Sequence, residues 1–162
     1  MTDIEFWLLI IAIFILIIIS AFFSSSETAL TAVSDARMHQ ISKKGDERAS
    51  IVKTLRAKRD LLISALLIGN NAVNVLASAL ATSTAITLFG EGGVAFAAVI
   101  MTLILVVFAE VLPKSYAFKN ADVFSLRVAR LVQITVRVLQ PFSKLIGFTV
   151  SLFFKEPNSL YR

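Results

Sequence analysis

Three long apolar stretches divide the chain. Ile4 to Phe23 is an almost continuous run of Ile, Leu and Phe with Glu5 as its only charge, and Leu61 to Phe89 and Val94 to Leu112 follow it. About 20 apolar residues are enough for a helix to cross the hydrocarbon core of a bilayer. The pattern therefore predicts an all-α integral membrane protein with three transmembrane helices. The first helix is expected to continue through Val33.

The segments outside these stretches carry the charge. Residues 34–60 hold eight of the sixteen Lys and Arg residues, and Gly45-Asp46 within them predicts a turn between two short surface helices. The other eight basic residues follow Pro113, so three spans place every basic residue on one side. The positive-inside rule then predicts a multi-pass protein of the cell (inner) membrane, with residues 34–60 and the C-terminus cytoplasmic and the N-terminus outside.

The tail has a different, amphipathic pattern. We expect a three-helix transmembrane domain over residues 1–119 and a juxtamembrane (belt) helix region over residues 120–156 that contacts membrane lipids. Polar residues in the tail step by three and four along one helical face, as in a helix lying in the membrane interface: Arg130, Gln133, Arg137, Gln140 and Lys144. Pro141 is expected to bend this helix. Leu145 to Phe154 is short for a span and is expected to lie along the inner leaflet; a fourth crossing, which would put the C-terminus outside, is the alternative.

Composition removes several classes of function. The chain is 57% hydrophobic and 17% charged, and it contains no cysteine, which excludes disulfides and thiolate metal sites. Its single histidine, His39, lies in a charged stretch, which argues against a zinc site inside the membrane. The net charge of +5 does not indicate nucleic acid, because the basic residues are distributed as membrane topology requires.

Three polar clusters interrupt the apolar stretches. Helical rise places all three in the central or inner part of the membrane, so they can meet nearer the cytoplasm. Their hydroxyl, amide and carboxylate oxygens suit hard cations such as Mg²⁺, Ca²⁺ or Na⁺. Polar oxygens at this depth are costly and are therefore interpreted as one cation site. The candidate metal ligands are Ser24, Ser25, Ser26, Glu27, Asn70, Asn71, Asn74 and Glu110.

Two details sharpen this prediction, and three structural alternatives stand beside it. Pro113 has no N–H to donate to the Ala109 carbonyl, which would leave a free oxygen next to Glu110. Glu110 itself must be neutralised by a proton or a cation. The serines could instead bond back to carbonyls of their own helix, and the asparagines could join neighbouring helices. Glu27 could be a structural acid that pairs with Lys114 or with an arginine of residues 34–60.

The clusters also carry a resemblance that extends over nearly the whole chain. Phe-Phe-Ser-Ser-Ser-Glu-Thr-Ala-Leu (22–30), Gly-Asn-Asn-Ala-Val-Asn (69–74) and Ala-Glu-Val-Leu-Pro-Lys (109–114) resemble the transmembrane domain of the CorC and cyclin M (CNNM) family of magnesium transporters. The resemblance implies a homodimer with a belt-like juxtamembrane helix, and Mg²⁺ efflux coupled to Na⁺ entry. Members of that family continue into cytoplasmic CBS domains that bind ATP. These are absent here, so a truncated form is expected.

Two other functions compete with transport. A membrane anchor or dimerisation module for regulatory domains would tolerate apolar residues at Asn70 and Glu110 and would bind no metal. An intramembrane hydrolase would need a base beside one of the serines, and Lys114 is the sole candidate. The chain is therefore expected not to be an enzyme but a secondary transporter that exports Mg²⁺ by alternating access.

Overall fold

The computed structural model describes residues 2–153, with side chains through residue 145. The elements are α1 (Asp3–Ala32), α2 (Asp35–Lys43), α3 (Glu47–Ala57), α4 (Arg59–Phe89), α5 (Gly93–Ile104), a π-helical segment (Leu105–Val111), α6 (Leu112–Lys119) and α7 (Ala121–Phe153). No strand occurs among the described residues. The predicted all-α membrane fold is confirmed, because three helices are long and apolar enough to span a bilayer: Asp3–Ala32, Arg59–Phe89 and Gly93–Lys119.

The first helix begins and ends where its sequence favours a boundary. The Thr2 hydroxyl accepts from the backbone N–H of Glu5, and the Glu5 carboxylate accepts from the backbone N–H of Thr2, which together form a capping box. The helix then continues without a break through the serine run to Ala32. The prediction that α1 extends past its polar cluster is confirmed, and the serines therefore lie well inside the helix.

The three spans alternate in direction. Phe23 packs against Gly69, and the end of α1 meets the start of α4 near Leu62, so these two helices are antiparallel. A tight turn at Gly90, whose φ of 69° favours glycine, reverses the chain into α5. Gly93 lies so close to α4 that a Cβ there would be 2.5 Å from the Ala85 carbonyl oxygen. The third span consequently runs parallel to α1.

Pro113 does not end the third span. The helix continues to Lys119, and the seven residues before Leu112 form a π-helix. A π-turn bonds each carbonyl to an N–H five residues later, which provides a way to accommodate a proline that lacks an N–H. Of the two outcomes that a proline predicts here, a stop or a kink, the structure excludes the stop, and Glu110 lies inside the π segment rather than at a helix end.

The segments outside the spans gather at one end of the bundle. Residues 34–60 form α2 and α3 with a turn at Gly45 (φ 93°), as predicted. Two ion pairs join them to α7, because Arg37 lies 2.8 Å from Asp122 and Arg130 lies 3.1 Å from Glu47. Met38, Val52 and Val132 are fully buried between these helices. The basic segments therefore pack together on the same side, as three spans require.

Helix α7 has three faces. Val128, Ala129 and Val132 are buried against the rest of the protein, and the predicted polar stripe is partly or fully exposed. A third stripe, which contains Leu131, Ile134, Val138 and Phe142, is apolar and exposed. The helix runs through Pro141 without a break. Its position in the membrane interface remains a prediction, and the last part of the predicted region, after Phe153, lies outside the described residues.

Candidate functional site

The site is organised along one face of α1. Ser20, Ser24 and Glu27 are spaced by four and three residues, so their side chains project from the same side of the helix. Ser20 and Ser24 are almost completely buried, and Glu27 is half-buried. This polar face meets α4 at its Ser20 end and α6 at its Glu27 end. All three spans therefore contribute to its surroundings.

Three oxygens from two spans converge at the Ser20 end. The Ser20 hydroxyl lies 2.8 Å from Asn70 Oδ1 and 2.6 Å from Asn74 Oδ1. A hydroxyl carries one proton, so it can donate to only one of these carbonyl oxygens at a time. The other carbonyl oxygen then faces the lone pairs of the hydroxyl, which is a repulsive contact. Either a cation or a rotation of one amide that presents its nitrogen would relieve it.

The three consecutive serines differ in their hydrogen bonding. The Ser25 hydroxyl lies 2.6 Å from the Ala21 carbonyl oxygen and 3.1 Å from that of Phe22, so it donates back to its own helix, as in the structural alternative for this run. The hydroxyls of Ser24 and Ser26 are buried and have no hydrogen-bond partner among the described residues. A buried hydroxyl without a partner costs free energy, so Ser24 and Ser26 are better candidates for a ligand than Ser25.

Glu27 faces α6. Its carboxylate lies 4.0 Å from the Lys114 ammonium, with both side chains partly exposed. This is the pairing that the structural alternative for Glu27 predicted. A pair at this distance and exposure contributes little to stability. The contact does, however, indicate the level along the bundle at which the third span packs against α1.

From that level we infer that Glu110 lies near the middle of the serine run. The third span is parallel to α1, and Glu110 precedes Lys114 by the same four residues that separate Phe23 from Glu27. Four residues correspond to about 6 Å of rise in a regular helix, so we infer that Glu110 lies near the level of Phe23 and Ser24. Glu110 is half-buried, and within the described residues its carboxylate makes no ion pair or hydrogen bond. Both observations leave it available to a ligand.

Asn71 points away from this cluster. Its side chain is exposed on the outside of α4, whereas the neighbouring Asn70 is 8% exposed. The amide of Asn71 has no hydrogen bond to the described residues. The structure thus brings Asn70 and Asn74 together with α1 and does not bring Asn71 to the same place.

Ser20 is the site residue that the sequence reasoning missed. It was counted with the apolar run because it stands alone, four residues before the serine cluster. Its spacing from Ser24 and Glu27 was a usable signal, since residues separated by four and seven share a helical face. The structure places it at the centre of the converging oxygens, fully buried.

The chemistry of the site is that of neutral oxygens with a nearby carboxylate. The described residues contain no cluster of three His, Cys, Asp or Glu side chains, which is the usual pattern of a transition-metal site. Hydroxyl and amide oxygens next to one acid instead suit a hard cation that exchanges with water. These residues fit a site of that kind.

Comparisons with known proteins find related sequences over most of the chain. Residues 10–160 match the model of the family described as the cyclin M transmembrane N-terminal domain. The inner membrane protein YfjD of Escherichia coli is 48% identical over 99 residues, which cover 61% of this chain and 23% of that protein. A protein of Haemophilus influenzae is 36% identical over 145 residues, which cover 89% of this chain and 34% of that protein.

A more distant relative has a name that states a function. The metal transporter cnnm-4 of Caenorhabditis elegans is 27% identical over 146 residues, which cover 87% of this chain and 31% of that protein. The chain therefore spans between about a quarter and a third of the length of these relatives.

Proposed function

The chain belongs to the cyclin M transmembrane N-terminal domain family, and from this membership and the geometry of the site we propose that it is the membrane domain of a secondary transporter. Its substrate is Mg²⁺, which it exports from the cytoplasm in exchange for Na⁺. The name of the Caenorhabditis elegans relative supports metal transport. The observation that carries the proposal is the convergence of Ser20, Asn70 and Asn74 oxygens within 2.6–2.8 Å in a buried part of the bundle.

These oxygens lie close enough together to be ligands of one small cation. Mg²⁺ holds its ligands in an octahedron at about 2.1 Å, which puts neighbouring oxygens about 2.9 Å apart. The two contacts of Ser20 are slightly shorter than this edge length. Ca²⁺ binds at longer distances and takes more ligands, so the cluster would have to expand to hold it.

Glu110 supplies the fixed charge in this proposal. It precedes Lys114 by about one helical turn, and in this proposal it lies near the unpaired Ser24 hydroxyl. A carboxylate compensates part of the charge of a dehydrated Mg²⁺, which neutral oxygens alone cannot do.

Transport proceeds by alternating access. Mg²⁺ enters from the cytoplasmic end, exchanges water for protein oxygens, and leaves outward when the inward Na⁺ gradient drives a rearrangement. Mg²⁺ gives up its water slowly, so slow turnover fits this site better than a channel does. The joined α2, α3 and α7 lie on the cytoplasmic side, because they contain the basic residues that determine orientation.

A homodimer completes the proposal. Asn71 presents an amide on the exposed surface of a spanning helix, where lipid offers it no partner. A second copy of the chain supplies one if this face of α4 lies at the subunit interface. We expect the detergent-solubilised protein to have the mass of a dimer and Asn71→Leu to shift it toward the monomer, as measured by light scattering with the detergent subtracted. A monomeric wild-type protein would contradict this expectation.

Metal-dependent stability and flux test the transport proposal together. Mg²⁺ that binds only the folded protein raises its melting temperature in detergent. A Mg²⁺ concentration of about 100 times the dissociation constant raises the free energy of unfolding by about 2.7 kcal/mol. In liposomes, Mg²⁺ efflux should require an opposing Na⁺ gradient and stop when the gradient is removed. A passive anchor would show neither effect. Mg²⁺ flux that is unaffected by Na⁺ would refute the coupling and leave the substrate assignment intact.

A further inference from the structure

The structure also contains a cavity outside the proposed transport site. It has a volume of about 500 Å³ and opens where α1 ends and α4 begins, between those helices and the α2–α3 pair. Leu30 and Leu62 lie behind the cavity and are almost completely buried, and its polar lining includes His39, Lys53, Arg56 and Arg59. None of these residues belongs to the cation site.

Arg56 and Asp35 neutralise each other in this cavity. The guanidinium of Arg56 contacts both carboxylate oxygens of Asp35, at 2.7 and 3.0 Å, and also donates to the carbonyls of Leu30 and Thr31 at the end of α1. The hydrogen bond from Arg56, together with its positive charge, holds the pKa of Asp35 below its usual range, so Asp35 stays ionised at neutral pH. Arg56 is therefore a structural residue with its donors in use.

Two cations in the cavity lack an acidic partner. Among the described residues, neither Lys53 nor Arg59 forms an ion pair, and Asp35 is the only acid that lines the cavity. The Lys53 ammonium lies 3.0 Å from Nδ1 of His39. When Lys53 donates to Nδ1, the ring proton resides on Nε2, which adds a further donor. The cavity thus has an excess charge of two and several free N–H groups.

The position of the cavity indicates the kind of anion. It lies at the last turn of one span and the first turn of the next, where the apolar residues give way to charged ones. This is the level at which phospholipid headgroups meet the surface of a membrane protein.

We propose that this cavity binds the phosphate group of an anionic phospholipid, held by Lys53, Arg59 and the Nε2–H of His39. Phosphate is the anion that matches two cations and a neutral donor, because it offers several acceptor oxygens. Inorganic phosphate has the same recognition chemistry without the acyl chains. The position of the cavity at the ends of two spans, where headgroups lie, favours the lipid as the natural source.

The test measures thermal unfolding of the detergent-solubilised chain with added ligands. Dioctanoyl phosphatidic acid should raise the melting temperature, whereas dioctanoyl phosphatidylcholine and sodium phosphate at the same concentration should raise it much less. The double variant Lys53→Ala/Arg59→Ala should weaken the apparent affinity for phosphatidic acid roughly tenfold or more, since two charged contacts are lost. Arg56 is left in place because it holds the end of α1.

A matched pair of lysines provides the control. Lys43→Ala/Lys44→Ala removes the same charge from the same segment at two exposed positions that do not line the cavity. This variant should respond to phosphatidic acid like the wild type, and equal losses in both double variants would overturn the proposal in favour of nonspecific attraction. Stabilisation by inorganic phosphate with none by phosphatidic acid would overturn the lipid assignment. If the first double variant does not fold, Arg59→Gln alone should still fold, because Arg59 has no described hydrogen bond. It should also weaken binding, because it removes one of the two cations.

Discussion

Asn70→Ala is expected to abolish the stabilisation of the protein by Mg²⁺ and to reduce Na⁺-driven Mg²⁺ efflux about tenfold or more. The substitution removes one of the oxygens that converge with Ser20 on α1. It should cost little stability without Mg²⁺, because the Ser20 hydroxyl can still donate to Asn74. The measurements are melting curves in detergent with and without Mg²⁺ and flux into liposomes.

The neighbouring asparagine and a distant serine give this experiment its contrast. Asn71 is exposed on the outer side of α4, so Asn71→Ala should affect efflux less than Asn70→Ala does. Ser83→Ala, on an exposed face of the same helix, should leave both the melting curve and the flux unchanged. A folded Asn70→Ala protein that transports normally would contradict the site described here.

The apolar stretches were enough to predict the spans, because a helix that crosses a bilayer must be long and uninterrupted in its hydrophobicity. The same reasoning left both a stop and a kink open at Pro113. Proline predicts a break when the helix is assumed to be regular, but the π segment before Leu112 changes the hydrogen-bond register and lets the helix continue. Local sequence does not reveal such a change, since it depends on packing against α1.

The candidate site was predictable in its composition but not in its detail. The clusters indicated which helices contribute oxygens, and the structure packs those helices around α1. Sequence could not distinguish Ser25, which bonds to its own helix, from Ser24 and Ser26, which do not. The direction of a hydroxyl depends on the neighbouring helix. The packing of the helices likewise determines that Asn70 is buried and Asn71 is exposed.

Ser20 is a site residue that the sequence pattern did not indicate. A single serine in an apolar run is ordinarily satisfied by a carbonyl of its own helix, so it attracted no attention. In the structure its hydroxyl instead reaches across to two side chains of α4. Its helical spacing from Ser24 and Glu27 would have identified it. Polar residues in a span are therefore better grouped by the helical face they share than by their adjacency in the sequence.

Glu110→Gln should have the largest effect of any substitution in the chain, reducing Mg²⁺ efflux about a hundredfold. Glutamine keeps the size and one oxygen of the side chain but removes the negative charge, and an uncompensated charge inside the membrane costs about 3 kcal/mol, which corresponds to that factor. Glu110 makes no ion pair or hydrogen bond among the described residues, so the variant should fold normally and melt like the wild type without Mg²⁺. Flux into liposomes under a fixed Na⁺ gradient measures the loss.

The matched control is Glu91→Gln, which removes the same charge from an exposed turn at the opposite end of the third span. It should transport as the wild type does, because Glu91 lies far along the helix from the serine run. Glu110→Asp should retain more activity than Glu110→Gln, since it preserves the charge and shortens the side chain by one methylene. Normal efflux by a folded Glu110→Gln protein would remove the carboxylate from the site and leave only neutral oxygens, which cannot compensate a dehydrated Mg²⁺ at this depth.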